Sequence, residues 1–199
     1  MRYPPKSRKG QKQSHLRQKK LSRAVHLAVL SMSVAPTIAL ADVQLDEGSG
    51  AAASALTAIT NTATIAPAGD YLNVDGANTQ LTGAITNSGT ITAGGDAFGV
   101  YYYSDISGGI TNESGGIISA DDDAFYVYSS SDISGGVTNS GTISAVFDAF
   151  GVYSSSTISG NITNSGIISA GVDAFYVSSS TISGDITNSD TIEAGDDAF

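Results

Sequence analysis

Cysteine and tryptophan are absent from this 199-residue chain, and only two methionines occur. The more telling absence is positional. All nine basic residues lie in the first 23 positions, as Arg2, Lys6, Arg8, Lys9, Lys12, Arg17, Lys19, Lys20 and Arg23. All 19 acids lie from Asp42 onward, so the net charge of -10 joins a basic leader to a purely acidic body. Past Asp42 there is no Lys, Arg, His, Cys, Met or Trp. Such a body has no Ser-His-Asp triad, no thiolate nucleophile and no Schiff-base lysine. It offers no His or Cys ligand to zinc. It lacks the basic footprint that nucleic acid or an anionic membrane requires, and its field repels phosphate substrates. What survives is carboxylate chemistry or an oxygen-ligated cation.

The leader has the plan of an export signal. A basic stretch over residues 1–23 precedes an apolar run over residues 24–41 that ends in Ala39-Leu40-Ala41, a small-x-small cleavage boundary. Pro36 and this boundary favour a cleaved signal peptide over an uncleaved membrane anchor, although a run of 18 residues approaches the length of a span. The apolar run also argues against a nucleic-acid-binding tail. No twin arginine is present, which points to the general secretory route.

The body repeats. Ile85-Thr86-Asn87-Ser88-Gly89-Thr90-Ile91 returns from Val137, Ile162 and Ile186, and a divergent copy starts at Ile59. Another copy starts at Ile110 and carries an insertion before Ile117-Ile118. A second motif follows each time, as Asp96-Ala97-Phe98-Gly99-Val100, Asp123-Ala124-Phe125-Tyr126-Val127, Asp148-Ala149-Phe150-Gly151-Val152 and Asp173-Ala174-Phe175-Tyr176-Val177, ending at Asp197-Ala198-Phe199. Apolar residues alternate with polar ones between Gly, Asp and Ser clusters, the pattern of short strands and turns. The period of about 25 predicts an all-β parallel β-helix, a β-solenoid with about three strands per coil, whose units bury their inner faces by stacking. A propeller blade is too long for this period, and the regularly placed Ile, Phe and Val argue against a disordered linker. The expected organisation is a signal peptide over 1–41, a lead-in or cap over 42–58, and solenoid repeats over 59–199 that stop inside a coil.

Stacking turns each repeated residue into a column. Asn61, Asn87, Asn112, Asn139, Asn164 and Asn188 share the parity of the inward Ile and form an expected amide ladder. Two sequons start at Asn112 and Asn161, and the ladder position of Asn112 argues against glycosylation there. Asp96, Asp123, Asp148, Asp173 and Asp197 form a second column, read as solvated turn residues that bond their own backbone, or as a column of calcium sites. Like charges about 4.8 Å apart in water repel by roughly 0.9 kcal/mol per pair. On the outer face, Gly99, Tyr126, Gly151 and Tyr176 alternate, next to Tyr101, Tyr128, Tyr153 and Ser178. These tyrosines either cover the glycine of the adjacent coil or form a strip for a sugar or protein, with Tyr101, Tyr126, Tyr128, Tyr153 and Tyr176 as its contacts.

The long export signal followed by tandem Ile-Thr-Asn-Ser-Gly-Thr-Ile coils without cysteine resembles the passenger region of bacterial autotransporters, the type V secretion family. The resemblance implies a secreted, cell-surface β-helix acting as an adhesin or display stalk. It also implies a translocator barrel in the outer membrane and a host or neighbouring-cell glycan or protein as partner. The incomplete, uncapped coil at Phe199 separately leads to the expectation of more coils. No cofactor is expected apart from the calcium alternative, and no nucleic acid. A carbohydrate-active enzyme on a β-helix is the second reading. It would need a carboxylate pair at defined separation, whereas these acids repeat with the coil. Ice binding is a third, for which a regular outward Thr-x-Thr column is missing.

Overall fold

A computed structural model describes residues 43–45, 58–76 and 79–199. Every described residue belongs to one compact unit. The expected signal peptide and cleavage boundary lie outside the described residues.

The described residues contain strands and turns and no helix. A first strand, β1 (Val43–Leu45), is followed by five coils of four strands. The coils comprise β2 (Ala58–Asn61), β3 (Thr64–Ile65), β4 (Leu72–Val74) and β5 (Gln80–Leu81), then β6 (Ala84–Asn87), β7 (Thr90–Ala93), β8 (Phe98–Tyr101) and β9 (Asp105–Ile106). The third has β10 (Ile110–Asn112), β11 (Ile117–Ala120), β12 (Phe125–Tyr128) and β13 (Asp132–Ile133), and the fourth β14 (Val137–Asn139), β15 (Thr142–Ala145), β16 (Phe150–Tyr153) and β17 (Thr157–Ile158). The fifth has β18 (Ile162–Asn164), β19 (Ile167–Ala170), β20 (Phe175–Ser178) and β21 (Thr181–Ile182), after which β22 (Ile186–Asn188) and β23 (Thr191–Ala194) begin another. Each strand pairs in parallel with its counterparts one coil away, giving three six-stranded sheets and one five-stranded sheet. The chain is therefore an all-β parallel β-solenoid. The count of three strands per coil is corrected to four: the return through Ser and Ile-Ser-Gly closes two-residue strands of its own, such as β9 and β13.

Register follows sequence identity. Ladder partners are separated by 26, 25, 27, 25 and 24 residues in successive coils. The longest interval absorbs the insertion after Asn112: the Gly116 N–H donates to the Glu113 carbonyl, and Gly115 takes φ 84°, a left-handed conformation that favours glycine. The extra residues form an outward turn, so Asn112 and Ile118 keep their places against Asn139 and Ile143.

Inward residues at every second position fill the solenoid. Ile85, Ile91, Phe98, Val100 and Ile106 are buried in one coil, and their counterparts in the next are Ile110, Ile118, Phe125, Val127 and Ile133. Phe98, Phe125, Phe150, Phe175 and Phe199 stack nearly parallel, with ring centroids 5.0, 4.6, 5.0 and 5.1 Å apart. Leu72 takes the Phe position in the first coil, and the adjacent Tyr71 meets Phe98 edge-on at 5.8 Å. No single coil could bury this surface, since each apolar side chain is covered by its counterparts above and below.

β1 pairs in parallel with β4, which extends the Phe-bearing sheet by one strand into the segment read as a lead-in.

Candidate functional site

Two polar columns dominate the side-chain chemistry. The first is the asparagine ladder. Asn61, Asn87, Asn112, Asn139 and Asn164 are buried, and each donates Nδ2 to Oδ1 of the next at 2.7–2.8 Å. Each Nδ2 also reaches backbone carbonyls at the bend. For Asn112 these are Gly116 at 3.1 Å in its own coil and Thr142 at 3.1 Å in the next. A single amide thereby satisfies buried backbone at the corner where the chain leaves one sheet for another.

The second column lies before the Phe-bearing strands. Asp96, Asp123 and Asp148 are 1%, 6% and 3% exposed, Asp173 is partly exposed and Asp197 is exposed. The expected solvated turn residues that bond their own backbone are not what forms. Oδ1 of each aspartate accepts the backbone N–H of the next one: Asp96 from Asp123 at 3.0 Å, Asp123 from Asp148 at 2.9 Å, Asp148 from Asp173 at 3.2 Å, Asp173 from Asp197 at 3.1 Å. The physical reason is the turn geometry, which aims each N–H along the stacking axis at the carboxylate of the preceding coil. Asp70 starts this column, since its Oδ1 accepts the Asp96 N–H at 2.9 Å. Sequence reasoning passed over Asp70. The available signal was its interval of 26 residues to Asp96, equal to that between Asn61 and Asn87.

Tyrosine hydroxyls close the column from outside. Tyr101 donates to Asp96 Oδ2 at 2.9 Å, and Tyr153 donates to Asp148 Oδ2 at 2.8 Å and Asp123 Oδ2 at 3.4 Å. Tyr101 does this by folding over Gly99 of its own strand, and Tyr153 likewise over Gly151. This corrects the expectation that a tyrosine covers the glycine of the adjacent coil. A Cβ on Gly151 would stand 2.6 Å from the Tyr153 ring, so the ring occupies the space that glycine leaves. In the coil between and in the coil after Gly151, Tyr126 and Tyr176 stand at the glycine position itself. Tyr101, Tyr126, Tyr153 and Tyr176 therefore make one continuous column, with centroids 5.5, 5.0 and 5.3 Å apart, drawn alternately from two strand positions. Tyr128 stacks on Tyr126 at 5.9 Å. All five tyrosines of the expected contact strip are partly buried by this packing. The more exposed rings are Tyr102 and Tyr103, which the sequence reading did not single out.

The electrostatics follow from burial without any basic residue. Asp96 is pushed well above the ordinary carboxylate range, first by desolvation and then by the Asp123 and Asp70 carboxylates; the bonds from the Asp123 N–H and Tyr101 hydroxyl oppose this. Asp123 is pushed up to about 8, again first by desolvation and then by Asp148. Burial also raises the Tyr101 and Tyr126 hydroxyls. Burial and the neighbouring carboxylates thus favour the protonated forms of Asp96 and Asp123. No three acidic side chains converge on a metal-sized site among the described residues. Asn161 is exposed, and its Oδ1 accepts the Asp185 N–H at 3.0 Å.

Compared with known proteins, the chain matches no family model, no curated protein and no solved structure significantly.

Proposed function

We propose that this chain is the β-solenoid portion of an exported, surface-displayed protein, serving as an adhesin or as the stalk that carries one. The observation that carries this reading is the self-templating register. Side chains in the Asn, Asp, Phe and Tyr columns bond or stack on their counterparts, so a chain delivered unfolded can add coils one at a time. The absence of cysteine suits passage through an oxidising compartment in an unfolded state. The basic leader and the Ala39-Leu40-Ala41 boundary supply export through the general secretory route. An outer-membrane translocator barrel, encoded with the coils or beside them, completes this route.

The test is to express the chain with its own leader, joined to an outer-membrane barrel, in a Gram-negative cell. The expected result is protease-accessible solenoid on intact cells, with the mature chain starting at Asp42. Retention inside the cell with the leader still attached would refute the reading.

A further inference from the structure

The turn after each Phe-bearing strand places residues in the left-handed region. Ser129 and Ser130 have φ of 62° and 61°, Ser154 and Ser155 56° and 64°, and Ser179 53°. In the second coil the same turn is built from Tyr102 at 52° and Tyr103 at 64°. Serine, with a short polar side chain, occupies this turn in the later coils, whereas a bulky aromatic there is a genuine outlier. The core does not compensate, since Tyr102 is 41% and Tyr103 62% exposed. The turn does not require the rings either: the Tyr102 and Tyr103 N–H groups donate to the Tyr128 and Ser129 carbonyls, contacts that any residue could make.

The rings do have an ordered setting. Tyr102 meets Tyr128 edge-on at 6.2 Å and lies 6.4 Å from Tyr101, whose neighbour Tyr126 stacks on Tyr128. Tyr102 thus belongs to a supported aromatic cluster, and the exposed Tyr103 follows it in the same turn. We infer that Tyr102 and Tyr103 form a binding platform for a neutral saccharide, which names the ligand class of the adhesin reading above and rests on it. The flat C–H face of a pyranose stacks on a tyrosine ring, and the phenol hydroxyls exchange hydrogen bonds with sugar hydroxyls. The body carries acids and no Lys or Arg, so sialylated, uronate or sulfated glycans are repelled. The same field draws a cationic partner, and Asp105, two residues beyond Tyr103, is only partly buried, so oligolysine is the competing probe. Asp96 and Asp123, the carboxylates acting on Tyr126, are buried and hydrogen-bonded.

The experiment presents the full chain to immobilised neutral oligosaccharides of glucose, galactose and N-acetylhexosamines, to their sialylated counterparts, and to oligolysine, at low and high salt. Neutral glycans should bind with little salt dependence. The double variant Tyr102→Ser/Tyr103→Ser, which installs the turn used in the following coils, should fold with an equal or higher Tm and lose affinity by about tenfold or more, as for removal of aromatic hot spots. Tyr103→Ser alone provides the same readout should the double variant misfold. Unchanged glycan binding in these variants overturns the platform, as does binding only to sialylated probes or to oligolysine, or to none of the neutral glycans. Surface display is scored separately, so glycan binding without display would leave the platform standing and defeat the display reading, and the converse result would do the opposite.

Discussion

Acid should stabilise this solenoid, and the aspartate column sets the size of the effect. An aspartate in the unfolded chain titrates near pH 4, whereas Asp123 in the fold titrates at about 8 and Asp96 is also raised. Between these limits the folded state holds more protons than the unfolded state. Stability is then greatest below the unfolded value and falls as pH rises through the folded one. Each retained proton gives a slope of about 1.4 kcal/mol per pH unit. For a chain of this size that is about 3–6 °C of Tm per unit across pH 5 to 7.5. Self-repulsion of the acidic surface has the same sign, so the decisive comparison is between variants. Asp123→Asn keeps an oxygen for the Asp148 N–H and removes one proton from the linkage. Asp121→Asn removes a charge from an exposed turn without touching the column. Thermal melts across the pH range should show a flattened slope for the first variant and a much smaller change for the second. An Asp123→Asn melt as steep as that of the parent chain, or a parent chain more stable at pH 8 than at pH 5, would refute the assignment.

Asn139→Leu should lower stability by about 3–5 kcal/mol in chemical denaturation, because it strips partners from Asn112 Nδ2, Asn164 Oδ1, the Gly141 N–H and the Ile167 carbonyl. Thr138→Ala on the exposed face of the same strand should change it by less than about 0.5 kcal/mol, and equal losses at the two positions would remove the ladder from the account. Gly151→Ala should press on Asp123 Oδ2 and the Tyr153 ring, displace that ring from Asp148 and cost about 1–3 kcal/mol, seen as a lower Tm together with altered tyrosine fluorescence. Calcium at about 10 mM should leave Tm unchanged, because the column aspartates already accept backbone N–H and tyrosine O–H bonds; a rise would mean that the carboxylates turn outward to bind it.

What the sequence makes legible is whatever depends on period and parity. Asn87, Asn112 and Asn139 recur at one coil position with the parity of buried Ile, so their ladder follows from counting, as does the Phe stack. The fate of the aspartates is not of this kind. A carboxylate beside Gly, Ser and Asp reads as a solvated turn. Asp96 and Asp148 are sealed by a tyrosine five residues later that bends back over a glycine, and Asp123 is reached by Tyr153 of the next coil. That depends on ring direction, which alternation along a strand does not encode. The four-strand coil was hidden for a related reason: two-residue strands such as Asp105–Ile106 are too short to show a period. The left-handed turns leave a clear trace only in retrospect, since paired serines are ordinary in any loop and it is Tyr102-Tyr103 that stands out once the φ values are known.

The alternation of glycine and tyrosine gives the stack a chemical period of two coils, although its backbone period is one. At the position filled by Gly99, Tyr126, Gly151 and Tyr176, a tyrosine in every coil would leave no room for the ring that folds in from Tyr101 or Tyr153. A glycine in every coil would bring all rings from the later position of the strand and remove the rings, such as Tyr126, that separate them. The observed sequence supplies one ring per coil to a single column, and the two folded rings carry the hydroxyls that bond Asp96 and Asp148. Neighbouring coils are therefore not interchangeable, even where their strands superpose in register. Removing the coil that contains Tyr126 would set two glycine-covering tyrosines, Tyr101 and Tyr153, against each other. The coils on either side would still pair through their backbones, but the aromatic cover over the buried carboxylates would lose its alternation at that join. The solenoid is thus repetitive in its hydrogen bonding and specific in its order, a combination that lets one position, the Tyr102-Tyr103 turn, differ from its siblings without disturbing the stack that carries it.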